Sequence, residues 1–252
     1  MRHNPSFTHH TALCSPLHRA DARVKCVIAL AYVIALTTTP PQSLLAFVIY
    51  AGLLLWTIAL ARVPVLYIAA RAAAVLPFSV LIAVGLPFIA DGKTVSLLGL
   101  NISIAGLWML ASVTIKATLC AAVMVLLTAV TSREALLDAL RRLGVPVFFL
   151  DILTMTLRYL SLLGEEANRF MTAAKARGYA PRHLPQATII GRLIGHLFIR
   201  SLERAERVYG AMRLRGYNGT MPAPPAPPLS VRQGTGLASA LLLLVILRVF
   251  VA

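Results

Sequence analysis

The chain has 252 residues, of which 58% are hydrophobic and only 13% are charged, so it is more apolar than a typical soluble domain. This composition excludes a soluble globular protein and indicates an integral membrane protein. The formal net charge is +15, an excess that would suggest nucleic-acid binding in a soluble protein but is typical of cytoplasmic loops in a membrane protein.

The chain begins with a polar segment. It contains no short apolar core followed by a cleavage site of small residues, so we do not expect a signal peptide. We expect residues 1–26 to be a cytoplasmic N-terminal segment and the first apolar stretch to be kept as a membrane span.

Five apolar stretches are long enough, with their flanks, to suggest membrane spans. Residues 27–130 hold four of them and residues 236–252 hold the fifth; the four are Val27–Thr38, Leu44–Ala61, Ala72–Ala90 and Ile102–Val130. Pro64, Pro77 and Pro87 lie in or near the second and third stretches, where proline can kink a helix. The sequence therefore predicts an all-α, polytopic membrane protein with about five transmembrane helices.

Basic residues predict the orientation of these spans. Arg19, Arg23 and Lys25 precede the first span, and residues 131–220 hold 14 Arg and Lys against 7 Asp and Glu. Because positive loops stay inside, the N-terminus and the 131–220 segment are expected in the cytoplasm and the C-terminus outside, in a plasma (inner) membrane.

Lys116 is a cation near the middle of the fourth stretch, where a charge is costly and usually faces protein or water. Two interpretations stay open: a polar contact with a neighbouring helix or partner subunit, or a place on a transport path.

The cytoplasmic segment predicts a short helix, with Thr131 or Ser132 as its N-cap, followed by two helices of about 30 residues. The long helices are expected at about Val147–Arg177 and Pro185–Arg215 and form the predicted pair of cytoplasmic coupling helices. Each ends at a glycine followed by proline, the usual arrangement past a helix C-terminus. Residues 221–235 are rich in proline and predict a semi-rigid linker to the last span.

The two long helices end in nearly the same sequence, with the shared pattern E-x3-R-x3-A-x-[KR]-x-R-G-Y. The matching residues are Glu165, Arg169, Ala173, Lys175, Arg177, Gly178 and Tyr179 in the first copy and Glu203, Arg207, Ala211, Arg213, Arg215, Gly216 and Tyr217 in the second. A spacing of four places the glutamate, two arginines and alanine of each copy along one stripe of the helix. The alanine keeps that stripe slim, so another surface could approach it closely.

An arginine at such a helix end has two interpretations. It can simply interact favourably with the negative end of the helix dipole beside a C-terminal glycine, which is a common arrangement. Its planar, permanently charged fork also suits a groove lined with carboxylates. Two copies with matched upstream residues favour the docking interpretation, and they suggest two copies of one partner.

These residues resemble the transmembrane (T) components of energy-coupling factor transporters, and within them the CbiQ branch of cobalt transport. The family's motif is Ala-Arg-Gly at the end of each of two long coupling helices. Ala176, Arg177 and Gly178 match it in full, whereas Leu214, Arg215 and Gly216 have Leu for Ala. Further similar stretches are SPLHRADARVK, TSREALLDALRRLGVP, RYLSLLGEEANRF and FIRSLERAERVYGAM, so the resemblance covers nearly the whole chain.

The resemblance implies a scaffold whose two tips dock into two CbiO-like subunits that hydrolyse ATP. The long helices would carry the motion of those subunits to a CbiM-like substrate-binding membrane protein with a small CbiN-like helper. It implies that the ion is recognised by the substrate-binding subunit. The six tip residues are the predicted docking site, and Glu165, Arg169, Ala173, Glu203, Arg207 and Ala211 are the predicted supporting residues.

Several patterns that could suggest chemistry do not satisfy its requirements. The tripeptide at Gly92–Thr94 lacks the upstream glycine of a phosphate-binding loop, so ATP is expected to bind to partners only and this chain is expected to bind no cofactor. The N-terminal residues His3, His9, His10, Cys14 and His18 follow no metal-site spacing, and no metal ligand is assigned. Glu165 and Glu166 face different directions on a helix, and no catalytic residue is assigned.

Three classes of function compete. A transporter coupling subunit explains the repeat, the topology and the missing phosphate-binding loop together. A membrane-embedded enzyme would need polar residues that converge within the bilayer. A nucleic-acid binder would need one basic stripe, but the cytoplasmic cations are interleaved with acids, so no nucleic acid is expected. The transported ion is expected to be cobalt, with nickel or a vitamin as alternatives.

Overall fold

A computed structural model describes residues 21–85, 94–97, 100–179, 187–219, 221 and 231–251. The described helices are α1 Ala22–Thr37, α2 Leu44–Ala61, α3 Val65–Ala73, α4 Leu76–Ala83, α5 Ile104–Val130, α6 Arg133–Arg142, α7 Val147–Ala176, α8 Ala187–Leu214 and α9 Val231–Val251. The strands β1 (Thr94–Leu97) and β2 (Leu100–Ser103) pair antiparallel before α5. The predicted all-α architecture is confirmed. Among the described residues, this short hairpin is the only element that is not helical.

The described residues form two compact units. The first runs to Arg142 and includes α9, and the second runs from Leu143 to Met221. In the first unit α5 is central, because it packs against α1, α2, α3 and α4, while α9 packs against α1 and α2. In the second unit α7 packs against α8.

The core of the first unit is built around two tyrosines. Tyr32 and Tyr50 are buried and their rings meet edge to face, with centroids 5.5 Å apart. The Tyr32 hydroxyl donates to the Tyr50 carbonyl oxygen at 2.9 Å, so the polar end of this side chain is satisfied within an apolar core. The outer surface is also apolar: Leu66 is 81% exposed and Ile82 is 78% exposed. An apolar surface around an apolar core is what a lipid environment requires.

Among the helices of the described residues, length and composition qualify three as membrane spans: α2, α5 and α7. The α3–α4 pair adds a fourth if its bend of 40° lies within one span. Pro77 is the second residue of α4, and a proline there cannot continue the hydrogen bonding of α3, which explains the break. The third span was predicted to begin at Ala72, but its helical region begins earlier, at Val65.

The structure differs from the predicted span list at three helices. Within the described residues α1 has 16 residues and the apolar part of α9 runs from Gly234 to Arg248, so both fall below the length taken here for a span. The long helix α7 qualifies although it was predicted to be cytoplasmic, since its first half is apolar and carries few charges. Its orientation relative to the membrane stays a prediction.

Lys116 of α5 binds the end of a neighbouring helix. Its Nζ donates to the carbonyl oxygen of Thr37 at 3.0 Å and to that of Thr39 at 2.6 Å. The last carbonyls of a helix lack partners within the helix, and a cation there also favours the dipole. The structure therefore supports the interpretation of Lys116 as a contact between helices.

Candidate functional site: the paired helix ends

The two repeated sequences form the same backbone turn. At the end of α7, the Tyr179 N–H donates to Ala174 O at 3.1 Å and the Gly178 N–H donates to Lys175 O at 3.0 Å. At the end of α8, the Tyr217 N–H donates to Met212 O at 3.0 Å and the Gly216 N–H donates to Arg213 O at 3.0 Å. This pair of bonds is the Schellman arrangement, in which the residue past the cap is left-handed.

Glycine is required at the left-handed position of each turn. The φ angle is +85° at Gly178 and +84° at Gly216, values that side chains with a Cβ rarely adopt. Arg177 and Arg215 directly precede these glycines, and each N–H donates to helix carbonyls three and four residues earlier. The predicted helix ends are therefore confirmed, and each arginine lies at the very end of its helix.

All twelve residues predicted for docking or for support are exposed. They are Glu165, Arg169, Ala173, Ala176, Arg177, Gly178, Glu203, Arg207, Ala211, Leu214, Arg215 and Gly216. Leu214, the departure from the Ala-Arg-Gly motif, is 91% exposed. The role of these residues in docking stays a prediction.

The supporting ion pairs differ between the copies. Arg207 Nη1 lies 3.9 Å from Glu203 Oε2 in α8, whereas no ion pair joins Glu165 to Arg169 within the described part of α7. Both partners in α8 are more than half exposed, so this pair contributes only about 0.3–0.5 kcal/mol.

A buried carboxylate that the sequence analysis left without a role connects the two helices. The side chain of Glu166 is only 7% exposed, and its two oxygens accept from Arg200 Nη1 at 2.7 Å and Arg204 Nη2 at 3.2 Å. The Arg200 guanidinium also lies 5.5 Å from the centre of the Phe170 ring. The register of the repeat matches Glu166 to Arg204, so α7 and α8 meet at equivalent positions with opposite charges. This exchange of a glutamate for an arginine between the two copies is the feature of the sequence that could have indicated the contact.

A groove of about 430 Å³ lies between the first half of α7 and the second half of α8. Its walls are mainly apolar and aromatic, with Tyr159 on α7 and Tyr209 and Met212 on α8. Asp151 and Arg204 supply the charged groups. Three residues that follow the second tip, Tyr217, Gly219 and Met221, also line this groove.

The described residues contain no group of three His, Cys, Asp or Glu side chains placed to hold a metal ion. The N-terminal histidines and Cys14 lie outside the described residues, as do Gly92, Lys93 and most of the proline-rich linker. The expectations for those segments stay predictions.

Fold and helix ends together define an all-α, multi-pass membrane protein that carries a helical module with two matched, exposed arginine tips. The family described as "CbiQ: Cobalt transport protein" matches residues 14–225 of this chain. The chain belongs to that family, whose members are transmembrane components of transporters and not enzymes.

Individual relatives agree with the family match. The chain is 31% identical over 203 residues to the cobalt transport protein CbiQ of Rhodobacter capsulatus, covering 78% of each chain. It is 30% identical over 226 residues to the energy-coupling factor transporter transmembrane protein EcfT of Heliobacterium modesticaldum, covering 83% of each. It is also 35% identical over 89 residues to the nickel permease LarQ of Lactiplantibacillus plantarum, covering 35% of this chain and 32% of the relative.

Proposed function

We propose that this chain is the coupling subunit of an energy-coupling factor importer of cobalt ions and that Arg177 and Arg215 dock into two CbiO-like ATPase subunits. The observation that carries the proposal is the pair of helix ends with the same turn geometry and exposed arginines. One partner surface, present in two copies, can recognise both ends. ATP is hydrolysed on the partners, and this chain holds no cofactor.

The long helices suit the transmission of motion. With 30 and 28 residues, α7 and α8 span about 45 Å and 42 Å at 1.5 Å per residue. Glu166 joins them through two arginines of α8, so a displacement of one tip is opposed by contacts to the other helix. A CbiM-like substrate-binding membrane subunit, with a CbiN-like helper, receives the motion. The N-terminus and the coupling helices face the cytoplasm.

Cobalt is proposed as the ion because the family match and the Rhodobacter relative are both described by cobalt transport. Nickel is the second candidate, supported by the shorter match to LarQ. Uptake of radioactive cobalt and of radioactive nickel by cells that express the whole transporter separates the two ions.

The docking role is tested by retention of the ATPase on the detergent-purified full chain. We expect Arg177→Glu and Arg215→Glu each to weaken retention and the double change to abolish it, because each replaces attraction to a carboxylate groove by repulsion. Arg192→Glu is the matched control: it reverses an exposed arginine of α8 outside the repeat and should leave retention unchanged. Full retention by a folded double variant would show that the arginines are only helix caps.

A further inference from the structure

A buried carboxylate near the start of α7 holds the chain that leaves the second tip. Asp151 is only 7% exposed, and its Oδ2 accepts a hydrogen bond from the backbone N–H of Met221 at 3.1 Å. Met221 lies six residues beyond Arg215, so the bond joins parts of the chain that are 70 residues apart in sequence. A carboxylate withdrawn from water needs such donors to compensate for its lost hydration.

Described residues on either side of Thr220, between the tip and this bond, line the same groove. Tyr217 is the residue whose N–H closes the second turn, and its side chain is half-buried in the groove that Asp151 also lines. Met221 lines the groove as well. The exit from the second turn is thus fixed at two points, by its own hydrogen bond to Met212 and by the bond from Met221 to Asp151.

The repeat does not supply this bond to both tips. In the register that matches Glu165 to Glu203, the position in α8 that corresponds to Asp151 is Ile189, whose side chain cannot accept a hydrogen bond. The two tips have the same local turn, but α7 provides a hydrogen-bond acceptor at this position and α8 does not.

We propose that Asp151 is a positioning residue for the second tip: by holding Met221 it fixes the course of the chain after Gly216 and hence the direction in which Arg215 points. The inference rests on the proposed docking function. It assigns to Asp151 a role at one of the two ATPase contacts and none at the other.

The test measures ATPase retention on the full chain with one tip disabled at a time. In an Arg177→Glu background, where the second tip remains, we expect Asp151→Ala to lower retention by about tenfold, the loss that one charge-assisted hydrogen bond can cause. In an Arg215→Glu background, where the first tip remains, we expect the same change to alter retention by less than about twofold. Asp151→Asn keeps an acceptor oxygen and should restore most of the retention.

A second pair of variants tests the bond from its donor side and leaves Asp151 in place. Met221→Pro removes the N–H, and Met221→Ala keeps it while shortening the side chain. We expect Met221→Pro to reproduce the loss in the Arg177→Glu background and Met221→Ala not to do so. Hydrogen exchange at the Met221 amide should be protected in the original chain and faster in Asp151→Ala.

The outcomes are distinguishable. If the two Arg→Glu changes together leave retention intact, the proposed function fails and the role of Asp151 fails with it. If they abolish retention but Asp151→Ala acts equally in both backgrounds, or in neither, only the positioning role is overturned. Unchanged exchange at the Met221 amide in Asp151→Ala would overturn it as well.

Discussion

The ends of α7 and α8 have the same local structure but different surroundings. Their corresponding backbone hydrogen bonds agree within 0.1 Å, and the φ angles of Gly178 and Gly216 differ by one degree. Beyond the turn, Tyr179 is buried, whereas Tyr217 is half-buried in the groove beside α7. The repeated sequence thus determines the turn itself, and contacts that are not repeated determine how each turn is supported.

This contrast separates two kinds of residue. Gly178 and Gly216 act within their own turns, so a change at one should affect one tip only. Glu166 and its arginines lie where the two helices meet, so a change there should affect both tips. Changes where the helices meet should therefore have larger effects than changes within one turn.

Removing the charge of Glu166 should have the largest effect. Glu166→Gln leaves the guanidinium groups of Arg200 and Arg204 without their carboxylate, and we expect the free energy of unfolding to fall by about 1.5–3 kcal/mol. The loss stays below that of a fully buried ion pair because both arginines are partly exposed. Thermal unfolding of the detergent-purified chain measures the change.

Glu165→Gln is the control for Glu166→Gln. Because the carboxylate of Glu165 is exposed, its loss should change the free energy of unfolding by less than about 0.5 kcal/mol. Retention of the ATPase should also fall in both single-tip backgrounds when Glu166 is changed. Equal stability of the Glu166→Gln and Glu165→Gln variants, or a loss confined to one tip, would contradict the role of Glu166 in joining the helices.

Changes at the glycines of the turns should have smaller, local effects. Among the described residues other than its chain neighbours, no atom lies within 4 Å of a Cβ added at Gly178 or Gly216, so we expect Gly→Ala there to cost the left-handed backbone strain of about 1–2 kcal/mol. We expect each change to weaken retention at its own tip by about tenfold or less. Gly164→Ala and Gly210→Ala are matched controls within the same helices, where alanine should stabilise by about 0.5–1 kcal/mol. Loss of retention in the controls alone would contradict the role of the turns.

Much of the fold could be predicted from the sequence because its signals are local. Gly178 and Gly216 mark helix ends because their backbone is left-handed. Ser132, one of the two predicted N-caps, caps α6 by accepting a hydrogen bond from the Ala135 N–H at 3.3 Å. The bend before α4 has its cause in Pro77. The apolar first half of α7 could not be distinguished by composition from a span, because an amphipathic helix and a short span contain similar residues.

The exposed half of the candidate site was also predictable, whereas its buried half was not. Arg177 and Arg215 were found because they recur in matched sequence. Glu166 and Asp151 have no repeat of their own kind, and their importance comes from burial and from partners 34 to 70 residues away. Such contacts depend on how α7 packs against α8, which a single sequence does not display.

Photo-crosslinking in the assembled complex tests most directly whether both tips contact the ATPase. A photoreactive phenylalanine would replace Ala176, Leu214 or, as a control, Ile194, which is exposed on α8 but lies about 30 Å from Leu214 along the helix. We expect crosslinks to the ATPase from positions 176 and 214 with similar yield, and none from position 194. Crosslinks from position 194 alone, or from only one of the two tips, would contradict a pair of equivalent docking sites.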